Sequence, residues 1–180
     1  MSPLVAMNCS LMQKKSFNYT ALDYHFLYPS YLFASKNEAQ VKTVLGSCIA
    51  VCLYDPILRQ GGINHYMLPL WNGEGLPTPK YGNIAIEKLI DKMLEMGSMK
   101  RNIIAKVFGG AESLENQSSS FRIGSRNTDL AADMLKQHQI KIAGQSTGGN
   151  QGRNILFNTA TGEVIMRMIK KNLIQQVKAN

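Results

Sequence analysis

No stretch of the 180 residues approaches the roughly 20 consecutive apolar positions a bilayer-spanning helix needs, so a membrane-inserted protein is not expected. Met1 to Cys9 lacks the basic-then-apolar layout of a secretory leader. Cysteine is scarce, with three residues, an odd number that makes no disulfide framework. These absences together predict a cytoplasmic protein. Uncompensated charge is also short: 44% of residues are hydrophobic and 18% charged, which excludes a disordered chain. There is no internal repeat and no heptad pattern. The single low-complexity patch, Gln117–Ser120, reads as a loop tip. The length suits one well-buried domain and is too short for two.

Acidic groups are the minority, 12 against 20 basic, and the imbalance is concentrated. Residues 1–60 hold five basic and three acidic groups, residues 61–120 hold six of each, and residues 121–180 hold nine and three. A basic final third suits nucleic acid, an anionic membrane surface or an acidic protein partner. No recognised nucleic-acid motif accompanies the charge, so no nucleic-acid partner is expected.

Residues 1–20 have weak periodicity and read as a loose lead-in, with a single domain over 21–180. Tyr31–Ser35, Val41–Ser47 and Ile49–Tyr54 read as strands, short and rich in β-branched residues. Asp55-Pro56 supplies a turn, and Gly62–Pro69 resumes as a strand. Leu70–Pro79 is a loop around the only tryptophan, Trp71. Tyr81–Met96 has the clearest helical spacing, with Ile86, Leu89, Ile90, Met93 and Leu94 on one face and Gly97 as its stop. Ile103–Phe108 is a strand ending at Gly109-Gly110. A second helix is expected over about 127–138, with Asn127 as its cap. Lys141–Ala143, Asn154–Asn158 and Glu163–Met168 are short strands, and Ile169–Val177 a short basic helix. Many short strands and two main helices predict an α+β fold with the helices on one face of a sheet.

Chemistry points first to Leu45-Gly46-Ser47-Cys48, followed 17 residues after the cysteine by His65. A thiolate attacks acyl carbon, and histidine is the base that titrates in the right range. If Asp55–Leu58 is the turn, Cys48 stands opposite His65, with β-carbons roughly 4.5–5.5 Å apart. A longer loop slips that register by a few residues. On the residues alone, a buried thiol beside a packed core histidine is the commoner meaning of such a pair. Cys52 shares the strand face of Cys48, but Cys48, Cys52 and His65 are one ligand short of a closed tetrahedron, so no metal is expected. Cys9, His25 and His138 have no chemical companion in sequence. Gly148-Gly149-Asn150-Gln151-Gly152-Arg153 lacks the Lys-Ser/Thr ending of a phosphate loop and reads as a tight turn.

Several stretches resemble the CheD family of chemoreceptor glutamine deamidases. They are Thr43–Pro56, with Leu-Gly-Ser-Cys at its centre, and Gly61–Pro69, with His65-Tyr66-Met67-Leu68-Pro69 at its end. Tyr81-Gly82, Val107–Ala111, Ile123–Asn127, Gly148-Gly149, Gly152-Arg153 and Thr161–Glu163 follow in order, covering roughly residues 28–168. The resemblance implies a layered α/β/β sandwich with a mixed sheet, shared with the catalytic domains of deamidating bacterial toxins. It implies Cys48 as nucleophile and His65 as base, with no cofactor. It also implies a receptor helical bundle as substrate, a CheC-type phosphatase as associate, and room for glutamyl methyl ester cleavage. The family's third catalytic residue, a threonine, falls on Lys42, one position from Thr43. In an uninterrupted strand that offset turns Thr43 to the opposite face, so either a bulge near Gly46 returns it or Lys42 lies at the site instead.

Overall fold

The computed structural model describes residues 23–112 and 122–169. The lead-in with Cys9, the Gln117–Ser120 loop tip and the basic tail from Lys170 onward lie outside the described residues. Among the described residues, nine strands and two α-helices follow in the order β1 (Asp23–Phe26), β2 (Tyr31–Ser35), β3 (Ala39–Leu45), β4 (Ile49–Asp55), β5 (Gln60–His65), α1 (Gly82–Glu95), β6 (Ile104–Gly109), α2 (Ile123–Gln137), β7 (Lys141–Thr147), β8 (Arg153–Asn158) and β9 (Val164–Met168), with one 3-10 turn at Lys100–Asn102. No helix among the described residues is long and apolar enough to cross a membrane.

The strands make two mixed sheets, one ordered β1-β3-β8-β9 and the other β2-β5-β4-β6-β7. Parallel pairs β1–β3 and β6–β7 sit at their edges. Side chains alternate faces along a strand, so the five-stranded sheet is buried on both sides. Ile49, Val51, Leu53 and Tyr66 face the helices, packing on Ala85, Ile86, Leu89, Ile90 and Met93 of α1 and on Ala131, Met134 and Leu135 of α2. Ala50, Cys52, Ile63 and Phe108 face the other way, onto Val41, Leu45, Ile155 and Phe157 of the four-stranded sheet. The result is an α/β/β sandwich with two cores. Each large side chain buried in them contributes about 1.5–3 kcal/mol.

Close packing on both faces explains Gly61-Gly62 in β5. A β-carbon at Gly61 would come 2.9 Å from the Phe157 ring, and one at Gly62 2.8 Å from Leu89 of α1. Any side chain there would force the layers apart. α1 ends as its sequence predicts: Gly97 takes φ +103°, its N–H donates to the Leu94 carbonyl, and the Ser98 N–H to that of Met93.

Several sequence expectations are corrected. α2 begins at Ile123, and Asn127 lies inside it rather than capping it. The Asn127 side chain donates to two backbone carbonyls instead of capping the helix start. β5 ends at His65, short of the expected strand to Pro69, because Met67 and Leu68 turn to pair with Lys80. β7 runs on to Thr147, since pairing with β6 continues past the short apolar run. β1 carries no sequence signal strong enough to have been anticipated and is held by its parallel pairing with β3.

Candidate functional site

The hairpin joining β4 to β5 decides how Cys48 and His65 meet. Asp55 Oδ1 accepts the Ile57 and Leu58 N–H groups at 2.9 and 3.1 Å, closing an Asx-type turn. The loop runs Pro56–Arg59, with Asp55 paired to Gln60 and Cys52 to Ile63. Ile49 continues the register by bridging Tyr66. His65 therefore lies opposite Ala50, and Cys48 opposite Met67, a slip of two residues from the direct pairing expected. That register makes Cys48 and His65 diagonal positions on one face, a relation that in a regular antiparallel pair leaves β-carbons about 7 Å apart, within an imidazole's reach.

Cys48 follows the Gly46-Ser47 bend, where the chain leaves the four-stranded sheet (β3) and enters the five-stranded one (β4). It packs against the core between the sheets. His65, buried, ends β5, an interior strand of the five-stranded sheet, and alternation from Ile63 turns it toward the same core. Tyr31 of the edge strand β2 stands directly opposite it in register and is mostly exposed.

Thr43 settles the orientation of the ring. It is fully buried, and its Oγ1 lies 2.8 Å from His65 Nδ1 and 2.8 Å from the Leu27 carbonyl oxygen. A hydroxyl has one proton, and a carbonyl can only accept. The Thr43 hydroxyl therefore donates to Leu27, and its lone pair takes the proton carried by His65 Nδ1. Nε2 is left as the basic nitrogen. It is buried and has no hydrogen-bond partner among the described residues.

Thr43 reaches His65, as one of the two alternatives expected, but without the bulge that alternative invoked, and Lys42 is not at the site. β3 pairs regularly with β8 from Gln40 to Leu45, without a bulge, and yet Thr43 faces inward. Lys42 faces outward and lines a shallow groove with Tyr24, Leu156, Ile165 and Arg167 on the solvent side of the four-stranded sheet. Counting faces from Cys48 back to Thr43 assumed one uninterrupted strand. The bend at Gly46-Ser47 changes sheets between them, so the alternation does not carry across.

Burial pushes the Cys48 thiol above its ordinary value, its own backbone N–H opposing the rise. Burial lowers His65 to about 4, with the Leu27 carbonyl pulling upward. At neutral pH the resting pair is thus a thiol beside a neutral imidazole able to accept a proton. Cys52 is raised much further by complete burial, with Lys106 opposing, and packs between the sheets.

Two asparagines also hold the site. Asn64 is buried, and its Oδ1 accepts the Val51 N–H at 2.9 Å, taking the place of a backbone bond where β4 and β5 flank His65. Asn127 donates from Nδ2 to the Ser47 carbonyl at 3.0 Å and to the Met67 carbonyl at 2.9 Å. Its inclusion in the family-like Ile123–Asn127 stretch was the available signal. The glycine loop after β6 also grips the thiol segment, the Gly110 N–H donating to the Cys48 carbonyl and the Ala111 N–H to that of Gly46, each at 2.9 Å.

The Gly148–Arg153 loop is tied shut rather than open to phosphate. Arg153 is buried and donates to Ser146 Oγ and to the Gln151 and Gly148 carbonyls.

A family profile described as CheD chemotactic sensory transduction matches residues 67–168. The chain belongs to the CheD family. A protein of Trichlorobacter lovleyi named "Probable chemoreceptor glutamine deamidase CheD" is 48% identical over 142 residues, 79% of this chain and 88% of that one. A CheD of the same description from Sulfurimonas denitrificans is 42% identical over 147 residues, 81% of this chain and 94% of its own. A third, from Rhodospirillum rubrum, is 39% identical over 145 residues, 81% and 82% of the two chains. The CheD profile begins beyond the Cys48–His65 pair. A match of 142 residues within 180 takes in Thr43, Cys48 and His65 wherever it begins.

Proposed function

We propose that this CheD-family chain is a glutamine deamidase acting on chemoreceptor helical bundles, with Cys48 as nucleophile, His65 as base and Thr43 holding the imidazole. The observation that carries the reading is the buried Leu27–Thr43–His65 relay, which leaves a bare Nε2 on the face that Cys48 shares. The names of the relatives supply the substrate class.

His65 Nε2 removes the Cys48 proton as the sulfur attacks the carboxamide carbon of a glutamine, and the carbonyl π pair moves onto oxygen. The tetrahedral intermediate collapses as His65 returns its proton to the departing nitrogen. Ammonia leaves, and a thioester remains. Water, deprotonated by the same Nε2, attacks that thioester; the carbon–sulfur bond breaks, the thiol is reprotonated, and glutamate is released. No redox step occurs and no cofactor is required. A glutamyl methyl ester fits the same sequence with methanol as leaving group. A CheC-type phosphatase as associate follows from the family resemblance and is a separate expectation.

The test is mass spectrometry of a receptor cytoplasmic fragment co-expressed with the chain. Deamidation appears as a gain of about one dalton at specific glutamines, and Cys48→Ala removes it because an alanine cannot form the thioester. An undiminished gain with the Cys48→Ala variant refutes the mechanism. A fragment that is bound but never gains mass supports a binding role instead.

A further inference from the structure

We propose that Asn127 is a positioning residue that turns the Cys48 N–H toward the reacting carbonyl as an oxyanion donor. The inference rests on the deamidation reading and adds to it a residue remote from the Cys–His–Thr relay.

Asn127 is fully buried in the second turn of α2, on the helical side of the five-stranded sheet. Its Nδ2 is the donor to two carbonyls, Ser47 and Met67, one on each side of the site. The opposite amide flip would set an oxygen against both carbonyls, so the hydrogen bonds fix the assignment. Its Oδ1 is buried with no partner among the described residues. A buried amide oxygen without a donor lowers stability, and an apolar residue would avoid that cost. The arrangement favours two aimed N–H groups over best packing.

The consequence follows from peptide geometry. There is no cis bond among the described residues, so the Ser47 carbonyl and the Cys48 N–H point in opposite directions across their shared peptide plane. Drawing the Ser47 oxygen toward α2 turns the Cys48 N–H away from the helices, toward the core between the sheets where the Cys48 side chain also lies. The carbonyls on either side are held as well, Gly46 by the Ala111 N–H and Cys48 by the Gly110 N–H. Three successive carbonyls are thus anchored in the body of the protein. The Cys48 N–H makes no hydrogen bond to another of the described residues. A fixed, unspent donor beside the nucleophile is what a developing oxyanion needs.

The experiment compares Asn127→Leu and Asn127→Ser with Tyr66→Phe. Tyr66 donates its hydroxyl to the Asn127 backbone carbonyl, so Tyr66→Phe loosens α2 without touching the donations to Ser47 and Met67. Two readouts are taken: kcat and KM for a glutamine-bearing receptor fragment, and the pH dependence of Cys48 alkylation by iodoacetamide, which needs no substrate. With the Asn127 variants, kcat is expected to fall about 30- to 100-fold with KM within about threefold, as for loss of one oxyanion donor. The alkylation midpoint is expected to rise, because the N–H that stabilises the thiolate is no longer aimed. Tyr66→Phe is expected to lower thermal stability and keep both readouts. Equal kcat losses in Tyr66→Phe and the Asn127 variants, or an unchanged alkylation midpoint with only a lower Tm, overturn the proposal. If Asn127→Leu fails to fold, Asn127→Ser, smaller and still polar, carries the test. A wild-type chain that deamidates nothing refutes the functional reading, while the alkylation series still decides whether Asn127 aims the N–H.

Discussion

Replacing Thr43 by valine removes one hydroxyl while keeping nearly the same shape, at a position with no exposed surface. That hydroxyl bridges two groups, accepting from His65 Nδ1 and donating to the Leu27 carbonyl, both at 2.8 Å. Thr43→Val leaves both without their partner. Stranding a buried donor or acceptor costs about 1–3 kcal/mol, so a loss of about 2–4 kcal/mol is expected in urea denaturation once some relaxation is allowed. The kinetic effect has a different origin. Without an acceptor at Nδ1 the ring is free to take either tautomer or to rotate, and only one arrangement presents a bare Nε2 to Cys48. The expected fall in kcat is about 10²-fold, with KM nearly unchanged, measured as ammonia release from a receptor fragment. Thr43→Ser keeps the hydroxyl and should retain kcat within about fivefold, though the lost methyl lowers stability by about 1 kcal/mol. The reasoning is refuted if Thr43→Val keeps full kcat. That result would mean the Leu27 carbonyl receives the Nδ1 proton directly and the hydroxyl is dispensable.

Two further outcomes follow from the same geometry. His65 is held near 4 in the folded chain against an ordinary 6.5, so the unfolded chain binds the extra proton first as pH falls. Its contribution of roughly 3 kcal/mol is fully present above about pH 6.5 and is lost as pH drops toward 4; denaturation curves for wild type and His65→Asn should converge across that window, and parallel curves would contradict the assignment. Gly109 has φ +116°, and a β-carbon there would overlap the Cys48 carbonyl oxygen, so Gly109→Ala should cost about 2–4 kcal/mol and disorder the thiol segment. Gly46→Ala meets open space instead and should change the denaturation midpoint little; equal midpoints for the two variants would refute the distinction.

What the sequence determined by itself is what depends on local pattern. The stripe from Ile86 to Met93 and the glycine after it fixed α1 and its end, because helical periodicity and a left-handed cap are properties of neighbouring residues. The Asp55-Pro56 turn was legible for the same reason, and so were the strands around Cys48 and His65 as one antiparallel hairpin. The chemical candidates were legible too, since a cysteine after Leu-Gly-Ser and a histidine before Met-Leu-Pro are read along the chain. Tertiary structure decided everything that depends on which surfaces meet. The length of the 56–59 loop set the register, making Cys48 and His65 diagonal rather than opposite neighbours. The change of sheets at Gly46-Ser47 turned Thr43 inward, against a face count valid only within one strand. Asn127 lies 80 residues from Ser47 and 60 from Met67 in sequence, and only the packing of α2 on the five-stranded sheet brings its amide to both carbonyls. Periodicity reports how a segment faces its own core. It does not report the partner on the other side, and at this site the partners hold the histidine and aim the thiol segment.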